Sequence, residues 1–293
     1  MFRSKKREHV QYSEAPDNQE QELTSDNLRK ILGNSADILF QGVYLCGDRR
    51  RYATIIFTDG LVDQKSVGDS IIKPLTQKAL NSKEKTDREM IDLLAHGLIY
   101  SPAPEIRTHI NDAILDILSG SCIIVFDDAK TAVTFQAKRT EHRSITEPTS
   151  ENTAKGAKDC FVESLRVNTA TVRSRIKTQN LIIEETTVGR QTLTGIGLVY
   201  IDGIANQGIV DEVKKRLNSI EIDGVLTSGF IEEYIIDKRC TACPLILATE
   251  RPDKFCTSLL DGRVGLLIDG LPIAYDVPAV LFHFLRTIDD YSQ

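Results

Sequence analysis

The feature that most constrains this 293-residue chain is a repeat of spacing rather than of residues. Four apolar runs end in aspartate: Tyr52 to Phe57 before Thr58-Asp59-Gly60, Cys122 to Phe126 before Asp127-Asp128, Ile196 to Ile201 before Asp202-Gly203, and Val264 to Ile268 before Asp269-Gly270. Short apolar runs bounded by turn residues read as buried strands. Asp59 and Asp127 lie 68 residues apart, and Asp202 and Asp269 lie 67 apart. Gly47 precedes Asp59 by 12 residues, and Gly189 precedes Asp202 by 13. TIIFTDGLVD (54–63) lies over GLVYIDGIAN (197–206), and LSGSCIIVFDD (118–128) over LLDGRVGLLIDG (259–270). An internal duplication with little residue identity is the economical reading. The fold class that follows is α/β. Two similar α/β subdomains are expected, each a small mixed sheet covered by helices, joined by a linker and a central helix.

The elements fall in order along the chain. Residues 1–22 are polar and aperiodic and read as a mobile tail. Residues 23–139 form the first subdomain. A capped helix is expected from Thr24 to Leu32, then strands Ile38 to Leu45 and Tyr52 to Phe57 around a turn at Cys46–Arg49. Helices follow from about Val67 to Leu80 (weakened by Pro74), at 86–96 and at 105–118. Cys122 to Phe126 then pairs with Ala132 to Phe135. Residues 140–160, with Pro148, Gly156 and many Ser, Thr and Asn, read as a linker in which Gly156 is a hinge candidate. Residues 161–293 hold the central helix 161–176, strands Leu181 to Val188 and Ile196 to Ile201, and a helix from Gly208 to Leu217. Val264 to Ile268 is expected to pair with Pro272 to Tyr275, before a closing helix Pro278 to Leu285.

Composition removes several function classes. A net charge of −6 and the absence of Trp argue against nucleic acid as a partner. No window approaches 18 consecutive apolar residues, and the first 25 residues have no apolar signal core. A reducing cytoplasm with free thiols is the simplest expectation. There is no G-x-x-x-x-G-K-[ST] loop to cradle nucleotide phosphates, and Gly195-Ile196-Gly197 lacks the third glycine of a dinucleotide fingerprint. Phe126-Asp127-Asp128 is followed by Ala129, so it lacks the second carboxylate that a phosphotransferase aspartate needs. Cys240-Thr-Ala-Cys243 has no second ligand pair, and the five histidines are scattered. No metal, no cofactor and no catalytic constellation are expected, and the chain reads as a non-enzyme. Asp59, Asp127, Asp202 and Asp269 are the ligand-facing candidates, because α/β folds bind ligands outside the carboxyl ends of strands. Their plainer reading is that Asp-Gly makes a tight strand exit.

The central helix joins these units. Phe161, Leu165, Val172 and Ile176 share one narrow arc at 100° per residue, whereas Glu163, Arg166 and Arg173 fall on another side. Asn168 falls on the apolar arc and is expected to be buried and hydrogen-bonded. Asp159 is placed to act as N-cap, and Arg173, Arg175 and Lys177 crowd the C-terminal end of the dipole.

The residues here also carry a resemblance. EPTSEN (147–152), Gly156 and FVESLRVNTATVRSRI (161–176) resemble the central signature of the A subunits of spore germination receptors, the GerA type. EEYIIDK (232–238), TERPDK (249–254), LLDGRVGLLIDGLP (259–272) and DDY (289–291) agree with it. Ala157-Lys158 departs from the family's usual Pro-Arg, and Lys158 cannot supply a planar guanidinium fork. The resemblance implies the N-terminal cytoplasmic domain of a nutrient germinant receptor A subunit. Such a domain would act in germination signalling and receptor assembly by non-enzymatic contacts. It would lie on the spore-core face of the inner membrane, tethered by its own membrane domain after Gln293, with receptor B and C subunits as partners. The interaction and linker candidates are Glu147, Asn152, Glu163, Arg166, Asn168, Arg173 and Arg175. The alternative is a small-ligand-binding α/β module with its ligand in the cleft between subdomains.

Overall fold

The computed structural model describes residues 18, 20–49, 51–76, 86–98, 104–139, 159–224, 233–236 and 245–279. The first half contains α1 (Ser25–Leu32), β1 (Ile38–Tyr44), β2 (Tyr52–Thr58) and α2 (Gln64–Ser66). The helix continues through a π-helical turn (Val67–Ile72) into α3 (Lys73–Thr76). It is followed by α4 (Asp87–Leu93), β3 (Glu105–Arg107), α5 (Ile110–Leu118), β4 (Ser121–Phe126) and β5 (Thr131–Gln136). The second half contains α6 (Leu165–Arg175), β6 (Leu181–Val188), β7 (Thr194–Ile201), α7 (Gln207–Asn218) and β8 (Leu247–Thr249). It then continues through α8 (Pro252–Leu260), β9 (Val264–Ile268) and β10 (Ala274–Val277).

Each half is one five-stranded sheet. The strand orders are β1-β2-β4-β5-β3 and β6-β7-β9-β10-β8, so each strand of the second sheet occupies the place of its counterpart in the first. Registers match as well: Ile38 faces Thr58 in the first hairpin, and Leu181 faces Ile201 in the second. The repeated aspartate spacing is therefore a repeat of topology. Every pairing is antiparallel, where a mixed sheet was expected. The reason lies in the connections. Four of the strand pairs are hairpins closed by short turns, and parallel neighbours would need a crossover between them.

Each sheet is covered on both faces, which explains why its central strands read as continuous apolar runs. In the first half, Ile55, Phe57, Ile124 and Phe126 meet Val67, Ile71, Leu75 and Met90 on one face. Ile56, Ile123 and Val125 meet Leu28, Leu32, Ile114 and Ile117 on the other. In the second half, α7 supplies Val210, Val213 and Leu217 to one face. Leu165 and Val172 of α6, with Phe255 and Leu259 of α8, cover the opposite face over Val199, Ile201 and Leu267. Burying each such side chain stabilises the fold by about 1.5–3 kcal/mol.

Several boundaries move. Residues 105–107, expected as the start of a helix, form the edge strand β3, and α5 begins at Ile110. The central helix begins at Leu165, leaving Phe161 outside it. β8 and α8 went unread. A three-residue strand carries too little alternation, and the start of α8 is marked chiefly by Pro252 in its first turn. Around Pro74, which has no N–H to donate, the helix widens so that Lys73 N–H reaches the Gly68 carbonyl. Asn18, assigned to the tail, is buried. The expected helix beyond Thr76 and the closing helix after Ala279 lie outside the described residues.

Gly60 and Gly270 separate backbone from packing demands. Both follow strand-end aspartates with positive φ (+77° and +84°). A Cβ on Gly60 would sit 2.7 Å from the Ala170 Cβ and 3.0 Å from the Arg166 carbonyl, whereas one on Gly270 meets nothing within 4 Å. Gly270→Ala is expected to cost about 1–2 kcal/mol of left-handed strain. Gly60→Ala should cost a further ~1–3 kcal/mol of overpacking. Urea denaturation of both variants checks the difference.

Candidate functional site at the junction of the halves

Two strand-end aspartates do the same structural work in the two halves. Asp127, after β4, accepts bonds from the Ser25 amide (2.6 Å) and the Ser25 hydroxyl (2.7 Å) at the start of α1. Asp269, after β9, accepts the Leu165 amide (2.9 Å) at the start of α6. Each carboxylate satisfies an orphan helix amide and meets the positive end of the dipole. Asp59 accepts from the Gly60 amide (2.9 Å) and the Gln64 side chain (2.8 Å), and forms an ion pair with Arg166. Asp202 is exposed and accepts the Gly203 amide at 3.0 Å. All four proposed ligand-facing carboxylates thus have protein partners.

The densest polar chemistry lies where α6 meets the loop between α1 and β1. Arg173 is 0% exposed. Its Nε donates to Asp37 Oδ2 (2.7 Å), and its Nη2 reaches Asp37 Oδ1 (2.9 Å), Ser35 Oγ (2.8 Å) and the Leu181 carbonyl (3.0 Å). Nη1 donates to the Thr178 carbonyl at 3.2 Å. Ser35 Oγ donates to Asp37 Oδ1 (2.6 Å) and accepts the Ile183 amide (3.0 Å), while the Ala36 amide donates to the Ile183 carbonyl (2.7 Å). Asp37 and Ser35 belong to the first half, and Arg173 and Ile183 to the second. The bidentate fork needs arginine, because a lysine has no planar pair of donors. Nearby, partial desolvation raises the pKa of the largely exposed Glu185 from its ordinary value, and the charges of Asp37 and Asp59 push it the same way.

The remaining candidates divide. Asn168 is 1% exposed, accepts the Val162 amide at 2.8 Å and donates to the Val162 carbonyl, so it pins the chain that enters α6. Arg175 pairs with Asp159, which is therefore a partner for the end of the helix rather than the cap at its start. Glu163 is exposed, and its backbone carbonyl accepts from the Gly270 amide at 2.7 Å. Glu147, Asn152, Cys240 and Cys243 lie outside the described residues. Cys46, Cys122, Cys160 and Cys256 are not joined in disulfides, and burial pushes Cys122 and Cys256 up to about 12. Asp37 and Ser35 were missed in the sequence. A serine and an aspartate before a strand look like ordinary turn residues, and only the fold brings Arg173 to them.

Among the described residues, no His, Cys, Asp or Glu side chains group as ligands for a metal ion, and no helix is long and apolar enough to cross a membrane. The site is a fastening of two lobes, which defines a two-lobed antiparallel α/β domain with its strongest polar chemistry at the joint. Residues 26–293 match the family model of the Bacillus/Clostridium GerA spore germination protein, and the chain belongs to that family. It is 38% identical over 270 residues to spore germination protein B1 of Bacillus subtilis, covering 92% of this chain and 54% of that one. It is 31% identical over 264 residues to spore germination protein KA of the same organism, covering 90% and 48%. The chain thus spans about half the length of the curated relatives it matches. Among solved structures it is similar to the N-terminal domain of the A subunit of the Bacillus megaterium spore germinant receptor GerK3. That likeness has a TM-score of 0.65 and 30% identity, over 89% of this chain and 96% of that one.

Arg173→Ala strands the Asp37 carboxylate in the interior and is expected to cost about 3–5 kcal/mol. Arg173→Ala combined with Asp37→Ala should recover part of that loss, which a double-mutant cycle by urea denaturation reads directly. Asn168→Ala leaves the Val162 amide and carbonyl without their partner and should lower stability by about 1–3 kcal/mol.

Proposed function

We propose that this chain is the N-terminal domain of a nutrient germinant receptor A subunit, and that it acts in germination signalling and receptor assembly by contact rather than turnover. The observation that carries the reading is its likeness, across nearly the whole of that chain, to the GerK3 A-subunit domain. The described polar residues support a non-enzymatic role, because the candidate carboxylates cap helices, close turns or bind arginine. In this reading the partners are the receptor's B and C subunits and a membrane domain of the same subunit, at the spore-core face of the inner membrane.

A contact domain transmits a signal when its partners favour one of two arrangements. The braced state seen here is one of them. Its two fastenings differ in strength. Arg173–Asp37 is sealed from water, whereas the Arg166 side chain is 47% exposed over Asp59, so water screens that pair and its release costs little. Arg166 is the contact that a partner can exchange. The small-ligand alternative would need a cleft between the halves. A described cavity of about 350 Å³, lined by Ile209, Val213, Ile235, Ile246 and Val277, lies within the second half instead.

Arg166→Ala and Arg173→Ala placed in the intact receptor test the proposal, with receptor levels followed by immunoblot. Arg166→Ala is expected to slow nutrient-triggered germination at normal receptor level, and Arg173→Ala to reduce receptor level. Normal level and normal germination in both variants would overturn the reading.

A further inference from the structure

β10 carries an acid where the sheet offers only core. Asp276 is 0% exposed, between Gly265 on β9 and Leu247 on β8. Ala274, two residues earlier, packs under α6 and α8, so strand alternation points Asp276 at the same helices. The space above Gly265 is taken by the Phe255 ring, whose Cζ would lie 2.2 Å from an added Cβ. Neither carboxylate oxygen of Asp276 has a partner at hydrogen-bonding geometry. The Ser258 hydroxyl of α8, Arg263 just before β9 and Lys254 of α8 are the groups that favour its charged form. Asp253 of α8, Arg175 of α6 and Asp159 lie around the neighbouring Cys256 thiol. Burial outweighs these helpers and raises the carboxyl from its ordinary 3.8 to about 7.

We propose that Asp276 is a proton-operated latch: protonated, it lets α8 seat on the second sheet, and ionised, it loosens α8 and the helix α6 that α8 supports. The link runs through the segment that leads into α6. Phe255 of α8 meets Phe161 edge-on at 5.4 Å, and the Phe161 amide donates to the Glu250 carbonyl just before α8 (2.8 Å). α6 in turn carries Arg173 and Arg166, the two side chains fastened to the first half. The latch does not depend on the receptor reading.

The direction of the pH effect follows from linkage. The folded state holds the Asp276 proton more tightly than the unfolded chain does. The stabilisation is therefore complete below the unfolded value near 3.8 and is lost as pH rises through about 7. Hydrogen–deuterium exchange of the full 293-residue chain, corrected for the intrinsic rate, should be measured between pH 5.5 and 8.5. Protection of peptides spanning 252–260 and 165–175 is expected to fall at least about tenfold between pH 5.5 and 7 and to level off above that, since each pH unit between the unfolded and the folded value weakens the folded form up to tenfold. Asp276→Asn should hold protection constant, and Asp276→Ser serves as the uncharged variant if Asn does not fold. Flat wild-type profiles at α8, a pH dependence that survives in the uncharged variant, or an equal loss across both halves would each overturn the proposal.

Discussion

The buried pair of Arg173 and Asp37 holds this molecule in one shape. Each half has its own sheet and covering helices, so neither needs the other to bury its strands. At the centre of their joint, a guanidinium and a carboxylate are taken out of water and joined by two bonds, with Ser35 and the Thr178 and Leu181 carbonyls taking up the other donors. Such a pair adds little net stability over an apolar isostere, but an incomplete one is costly. The arrangement is specific for that reason: a docking of the halves that buries either residue without the other leaves a bare charge in the interior.

The strand-end aspartates show how the duplicated plan is reused. Asp127 and Asp269 each tie the end of a central strand to the start of the helix that precedes the first strand of their own half. Covering helix and sheet are thus fixed to one another by the same bond in both halves. Asp59 and Asp202 occupy the other pair of equivalent ends, and there the halves part company. Asp59 faces Arg166 across the junction, while Asp202 faces solvent.

Much of this was legible in the chain, and the limits are physical. The strands ending at Asp59, Asp127, Asp202 and Asp269 announced themselves because sheets covered on both faces demand unbroken apolar runs. Asn168 was legible because an amide on an apolar helical arc must be buried. Arg173 was placed on a polar side of the helix, yet it is fully enclosed. The helical period says which side a residue faces, but not whether that side meets water or another domain. β3 and β8 are three residues each, too short for a period to be read. Asp37 lies 136 positions from its partner, and no local pattern marks a contact of that span.

The repeat has a counterpart for the acid at the joint. The Asp59 amide bonds the Asp37 carbonyl, and in the second half the Asp202 amide bonds the carbonyl of Asn180. The same geometry is kept, but the charge is gone. The two lobes share a topology but meet through different surfaces, the first through the loop before β1 and the end of β2, the second through α6 and β6. Asp37 on one lobe and Arg173 on the other make them plug and socket. The joint therefore has a direction, because the acid side and the guanidinium side are not interchangeable between the two lobes.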